Sequence, residues 1–141
     1  MTDDQIALIE ASFRQVTPIA EPAAALFYRR LFELDPALRP MFAQTDLAAQ
    51  GRKLMAAIGF VVANLRRPEA MLPAVRALGA RHGGYGVQPA HYDTVGVALL
   101  DTLALGLGDG FTPATRDAWA CAFGILARTM IAATEPQQQA A

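Results

Sequence analysis

Apolar residues recur at helical spacing from the first turn of the chain onwards. Ile6, Ile9 and Phe13 fall three and four apart and share one face of a helix. Thr2 and Gln5 have the spacing of a capping box, Asp3 and Asp4 suit the positive end of that helix, and Pro18 limits it. A second helix is expected from near Glu21 and Pro22 through AAALFYRRLFEL to Asp35-Pro36. There Asp35 can cap, and Pro36 can open, a short helix through Met41. Residues 42–49 read as a loop. The stripe Gln50, Leu54, Ile58, Val61 and Leu65 predicts a long helix over 50–65, ended by Arg66-Arg67-Pro68. The next helix is expected to start between Pro68 and Pro73, with Pro73 in its first turn, and to reach about His82. Gly83-Gly84-Tyr85-Gly86 is a break. Pro89 opens a helix through Leu107, and Thr112-Pro113 cap and open a last one to about Thr134. No segment alternates with period two, so strands are not expected. The reading is all-α, with about six major helices and short connections.

The chain has 141 residues, 53% of them hydrophobic, which fits one domain with a substantial core and argues against disorder. Twelve basic and 13 acidic residues leave a net charge of −1. That balance argues against nucleic-acid binding and against electrostatic docking on anionic membranes. The longest apolar runs, 54–63 and 118–127, have ten residues each. A membrane span needs about 20, so no integral membrane association is expected. The acidic start, MTDDQIALIE, lacks the basic head of a signal peptide, and a cytoplasmic location is expected. Cys121 is the single cysteine. It allows no intrachain disulfide, CxxC zinc pair or CxxCH haem attachment, and reads as a buried, inert thiol.

Three polar residues interrupt apolar stripes. His82 shares a face with Val75 and Leu78; it is either a transition-metal ligand or a histidine bonded to a backbone carbonyl. Gln50 heads the stripe of its helix and either donates into a pocket or points to water. Tyr28, aligned with Ala24, Leu31 and Asp35, is either an ordinary core tyrosine or a phenol placed in a buried pocket. Other chemistry is thinly represented. The sequence has no GxSxG elbow, no phosphate-binding GxxxxGK[ST] loop and no HExxH pair. Neither a hydrolase nor a zinc enzyme has support.

Five segments in order then carry a family resemblance. They are LFYRRLFELDPALRPMF (26–42), QGRKLM (50–55), LGARHGGYGV (78–87), HYDTVGVALLDTL (91–103) and FTPATRDAWACAFGILA (111–127). Over residues 2–133 the chain resembles a globin. It is similar to single-domain bacterial haemoglobins, the neuroglobin-like bacterial globins among them, and to the globin part of flavohaemoglobins. The resemblance implies a globin fold of six to eight helices, three over three, around a pocket for b-type haem. Residues 1–134 would form the globin domain and 135–141 a frayed polar tail.

Roles follow from the same resemblance. His82 is the proximal ligand to haem iron. Phe42 packs on the porphyrin. Tyr28 and Gln50 line the distal side and hydrogen-bond a ligand, with Leu54 as the apolar wall. Arg81 and Tyr85 meet the propionates, Val87 touches the proximal edge, and Tyr92 matches a tyrosine near the proximal histidine in flavohaemoglobins. His91 faces water. In flavohaemoglobins that tyrosine pairs with a glutamate; counting from Trp119, its position here is Thr134, with Glu135 beside it. The implied activity is reversible binding of dioxygen, carbon monoxide and nitric oxide by a carrier, store or scavenger, rather than an enzyme. The alternatives are a nitric oxide dioxygenase served by an external reductase, and a gas sensor acting through a partner protein. A monomer or weak homodimer is expected.

Overall fold

The computed structural model of the chain describes residues 1–84 and 87–133. Among them there are six α-helices, three short 3-10 segments and no strand. The first helix, α1 (Asp3–Val16), is closed by its expected capping box: Thr2 Oγ1 accepts the Gln5 N–H at 3.1 Å, and Thr2 N–H donates to Gln5 Oε1 at 2.9 Å. Pro18 lies in a 3-10 turn, Thr17–Ile19, that leads into α2 (Ala20–Leu34). Asp35 caps the 3-10 segment Pro36–Phe42 by accepting the Ala37 N–H at 3.1 Å.

Two boundaries differ from expectation. α3 (Leu47–Ala63) begins at Leu47 rather than Gln50. The cause is Asp46, whose Oδ1 accepts the N–H groups of Ala48 and Ala49 at 3.0 and 3.3 Å. Gln50 therefore sits at the end of the first turn, its N–H already bonded to the Asp46 carbonyl at 2.9 Å. α4 (Pro68–Gly84) starts at Pro68, which places Pro73 beyond the first turn, and continues two residues past His82. Pro73 has no N–H for the Glu69 carbonyl, but both residues are exposed and water can take that bond. α5 (Pro89–Leu107) and α6 (Pro113–Ala133) open at the prolines the sequence marks. Thr134 and the tail 135–141 lie outside the described residues.

α2 packs against α3 and α5, while α1 and α4 pack against α6. Two glycines set how closely these helices approach. A Cβ at Gly51 would stand 2.9 Å from the Ala24 Cβ, so α3 crosses α2 at near-backbone contact. A Cβ at Gly79 would stand 2.5 Å from Met130 Cα, which brings α4 equally close to α6. One core cluster joins Ile9, Val16, Val62, Leu103 and Trp119. Within it the Trp119 indole N–H donates to Ser12 Oγ at 2.9 Å, tying α6 to α1. A second cluster gathers Phe27, Tyr28, Leu31, Phe32, Leu38 and Ala98. Beside it Arg30 Nε donates to Asp101 Oδ2 at 2.8 Å, linking α2 to α5. Cys121 is half-buried rather than buried, because it lies off the α6 face formed by Ala118, Trp119 and Ala122. No helix among the described residues is long and apolar enough to cross a membrane.

Candidate functional site

The close crossing at Gly51 decides the geometry of the candidate site. Gly51 follows Gln50, and Ala24 lies one turn before Tyr28, so the contact brings the Gln50 and Tyr28 side chains near each other. Tyr28 is only 6% exposed. Burial pushes its pKa up to about 12, against the smaller opposing effect of a hydrogen bond with the Gln50 side chain. The phenol therefore keeps its proton at physiological pH and remains a hydrogen-bond donor.

Aromatic rings fix the Tyr28 ring on its other sides. Phe42 meets it edge-on at 5.7 Å between centroids, Phe27 does so at 5.1 Å, and Phe32 stacks at 6.3 Å. The Arg39 guanidinium lies over Phe32 at 4.8 Å and caps the stack. Leu54, one turn after Gln50, packs on the same cluster together with Phe42. The structure thus brings Tyr28, Gln50, Phe42 and Leu54 together. Sequence reasoning overlooked Phe32 and Arg39, although Phe32 stands four residues after Tyr28 and so shares its face.

His82 stands on α4 and is half-buried. Its Nδ1 lies 2.8 Å from the Leu78 carbonyl, which can only accept, so Nδ1 carries the proton. That tautomer places the ring's lone pair on Nε2, the form in which imidazole ligates a metal. The backbone after His82 is tied back by the Val87 N–H, which donates to the His82 carbonyl at 3.2 Å. Val87 is half-buried and Arg81 is exposed. Tyr85 lies outside the described residues. His91 does not simply face water: it is half-buried, and its Nδ1 accepts the Gln88 N–H at 2.9 Å at the start of α5. Tyr92 is buried, burial raises its pKa, and its hydroxyl has no hydrogen-bond partner among the described residues.

Three observations test whether these residues fit a large flat apolar group such as haem. α4 packs on α6 and makes little contact with α2 or α3, so the helix of His82 is not closed onto the pair carrying Tyr28 and Gln50. Leu54, beside Phe42, and Val61 stay half-buried, apolar surface of the kind a bound group covers. The buried Tyr92 hydroxyl calls for a polar partner. All three suit haem. No cluster of three or more metal-binding side chains occurs among the described residues, so a metal here would depend on a prosthetic group supplying most of its ligands.

A helical fold that carries an oriented histidine on one helix, a buried phenol on a second and a half-buried amide on a third fits a small α-helical ligand-binding protein. The chain belongs to the globin family, whose sequence model matches residues 25–130. It is similar to proteins named flavohemoprotein in three bacteria. The one from Deinococcus radiodurans is 34% identical over 133 residues, covering 93% of this chain and 33% of that protein. The one from Rhodopirellula baltica is 32% identical, over 84% of this chain and 30% of the relative. The one from Bacillus subtilis is 30% identical, over 89% and 32% respectively. The chain therefore spans about a third of the length of these relatives.

Proposed function

We propose that the protein is a cytoplasmic globin that binds b-type haem and reversibly holds dioxygen, acting as carrier, store or scavenger. The observation that carries this reading is the buried Tyr28 phenol, enclosed by Phe27, Phe32 and Phe42 with the Gln50 side chain close enough to oppose its pKa shift. Haem, when bound, supplies an iron centre that takes a diatomic gas. His82 would hold that iron through Nε2, with its ring oriented by the Leu78 carbonyl. Phe42 would pack on the porphyrin, Leu54 would wall the distal side, and Val87 and Tyr92 would border the proximal side. Arg81 and Tyr85 would meet the propionates. Residues 1–134 would make up the globin domain, with 135–141 a polar tail.

Tyr28 and Gln50 turn a gas pocket into a selective one. With haem in place, the Tyr28 phenol and the Gln50 amide would donate hydrogen bonds that favour dioxygen over the less polar carbon monoxide. One such bond contributes about 1–3 kcal/mol, roughly one to two decades in affinity. The test is the visible absorption spectrum of the purified protein: ferric, reduced, then with dioxygen and with carbon monoxide. A haem band that moves with each gas supports the reading. Absence of any haem band after added haemin would overturn it.

A second reading, nitric oxide dioxygenation with electrons from an external reductase, is favoured by Tyr92. Its hydroxyl is buried without a hydrogen-bond partner among the described residues, and the resemblance matches it to the tyrosine of a proximal pair in flavohaemoglobins. The candidate partners Thr134 and Glu135 lie outside the described residues. Turnover of nitric oxide to nitrate in the presence of a reductase, slowed by Glu135→Gln, would favour this reading. Turnover indifferent to that substitution would show that Glu135 does not complete a proximal pair with Tyr92, and no turnover at all would leave gas carriage as the function.

A further inference from the structure

A groove of about 560 Å³ lies between α4 and α6, and none of the candidate site residues lines it. Two arginines from different helices border it, Arg76 on α4 and Arg128 on α6, and both are exposed. Neither makes an ion pair among the described residues. The rest of the lining is Ala77 and Ala80 on α4, with Thr129, Ala132 and Ala133 on α6. Thr129 Oγ1 already donates to the Ile125 carbonyl at 2.9 Å. Among the described residues, the two guanidiniums are therefore the side-chain donors left to the groove, and no carboxylate lines it to neutralise them.

Each feature narrows the guest. Ligand pockets run to about 300–1,000 Å³, so the space suits a small molecule better than a lone inorganic ion. Two guanidiniums on separate helices call for two acid groups, since each planar fork matches one carboxylate or phosphate. The four alanine methyls offer apolar contact and no partner for hydroxyl groups, which disfavours a sugar phosphate. No aromatic ring lines the groove among the described residues, so a nucleotide base would have nothing to stack on. A second copy of the chain is disfavoured too, because a two-fold contact through this face would set arginines against arginines. We propose that the groove binds a small aliphatic dicarboxylate, one carboxylate on Arg76 and the other on Arg128, with its methylene chain over the alanines. Such a guest clamps α4, the helix of His82, to α6. The site does not rest on the gas-binding reading.

Glutarate and adipate are the probes, with butyrate as the control that has one acid group. Titration calorimetry on the purified full chain at low ionic strength should show one site per chain. The better dicarboxylate should bind about fivefold tighter than butyrate, the upper end for one exposed ion pair. Arg76→Gln and Arg128→Gln should each remove that advantage, and added salt should weaken it. Ala80→Leu keeps both charges but fills the groove; it should weaken binding while circular dichroism shows the helices intact. Arg116→Gln, on α6 outside the lining, should leave the affinity unchanged. Dicarboxylates that bind no tighter than butyrate would overturn the proposal. So would an equal loss in Arg116→Gln, which would reduce the effect to general attraction by basic residues. Sedimentation as a dimer that Ala80→Leu converts to monomer would also overturn it, since a second copy would then cover the groove.

Discussion

At the scale of single residues, Tyr28 carries the sharpest expectations. An unfolded tyrosine ionises near 10, whereas buried Tyr28 ionises at about 12. The sign follows from which state loses its proton first. The contribution of Tyr28 to stability is fully present below pH 10 and is lost as pH rises through 12. A gap of this size corresponds to about 2–3 kcal/mol. Denaturation midpoints should therefore fall in this alkaline range, and Tyr28→Phe should flatten the fall. Part of it will remain, because burial shifts Tyr92 in the same direction. Tyr28→Phe should also speed dioxygen release about tenfold, read by stopped flow, if the phenol makes one bond of ordinary strength. An unchanged rate would assign that bond to Gln50. His82→Ala should abolish stable haem retention on gel filtration, and normal retention would sink the ligand assignment.

Secondary-structure elements show where the sequence could be read and where it could not. Helix starts marked by a proline or a capping box, at Thr2, Pro89 and Pro113, are local signals and were legible. The start of α3 was missed because Asp46 sits among residues that otherwise read as loop, and only the two N–H groups it accepts identify it as a cap. Asp46→Ala should cost about 1 kcal/mol in urea denaturation and loosen the turn that carries Gln50. Pro73 was misplaced for the opposite reason: a rule about helix interiors yields where the freed carbonyl reaches water. Gly79 shows how an element's position depends on a missing atom. A Cβ there would also lie 2.6 Å from the Met130 carbonyl oxygen, a backbone group that cannot rotate away. Gly79→Ala should push α4 off α6, lower stability by about 1–3 kcal/mol and disturb the setting of His82. A stability within error of the parent would show that the two helices slide apart freely.

At the scale of the whole molecule, the helical class was legible because amphipathic spacing repeats in every long segment. The joining of Tyr28 to Gln50 was not legible from spacing alone. It depends on the Gly51–Ala24 crossing, a contact between helices that periodicity does not encode. The family resemblance placed the two residues on one side of a pocket; the crossing is the physical reason they meet. Binding of haem to the folded state alone should stabilise the protein, by about 2.7 kcal/mol at a hundredfold excess over the dissociation constant. Melting temperature should rise on adding haemin, and His82→Ala should lose most of that rise.

The half-buried apolar surface at Phe42, Leu54 and Val61 has a further consequence, for the order of events in a cell. A polypeptide leaves the ribosome before it meets its prosthetic group. During that interval the half-buried apolar side chains of Phe42, Leu54 and Val61 lack the cover a bound group would give, and apolar surface left open in this way promotes association between copies of a chain. Rapid synthesis with scarce haem should then yield aggregates, and the same synthesis with ample haem should yield dispersed protein. The supply of a small molecule would thus set how much of the polypeptide survives to work.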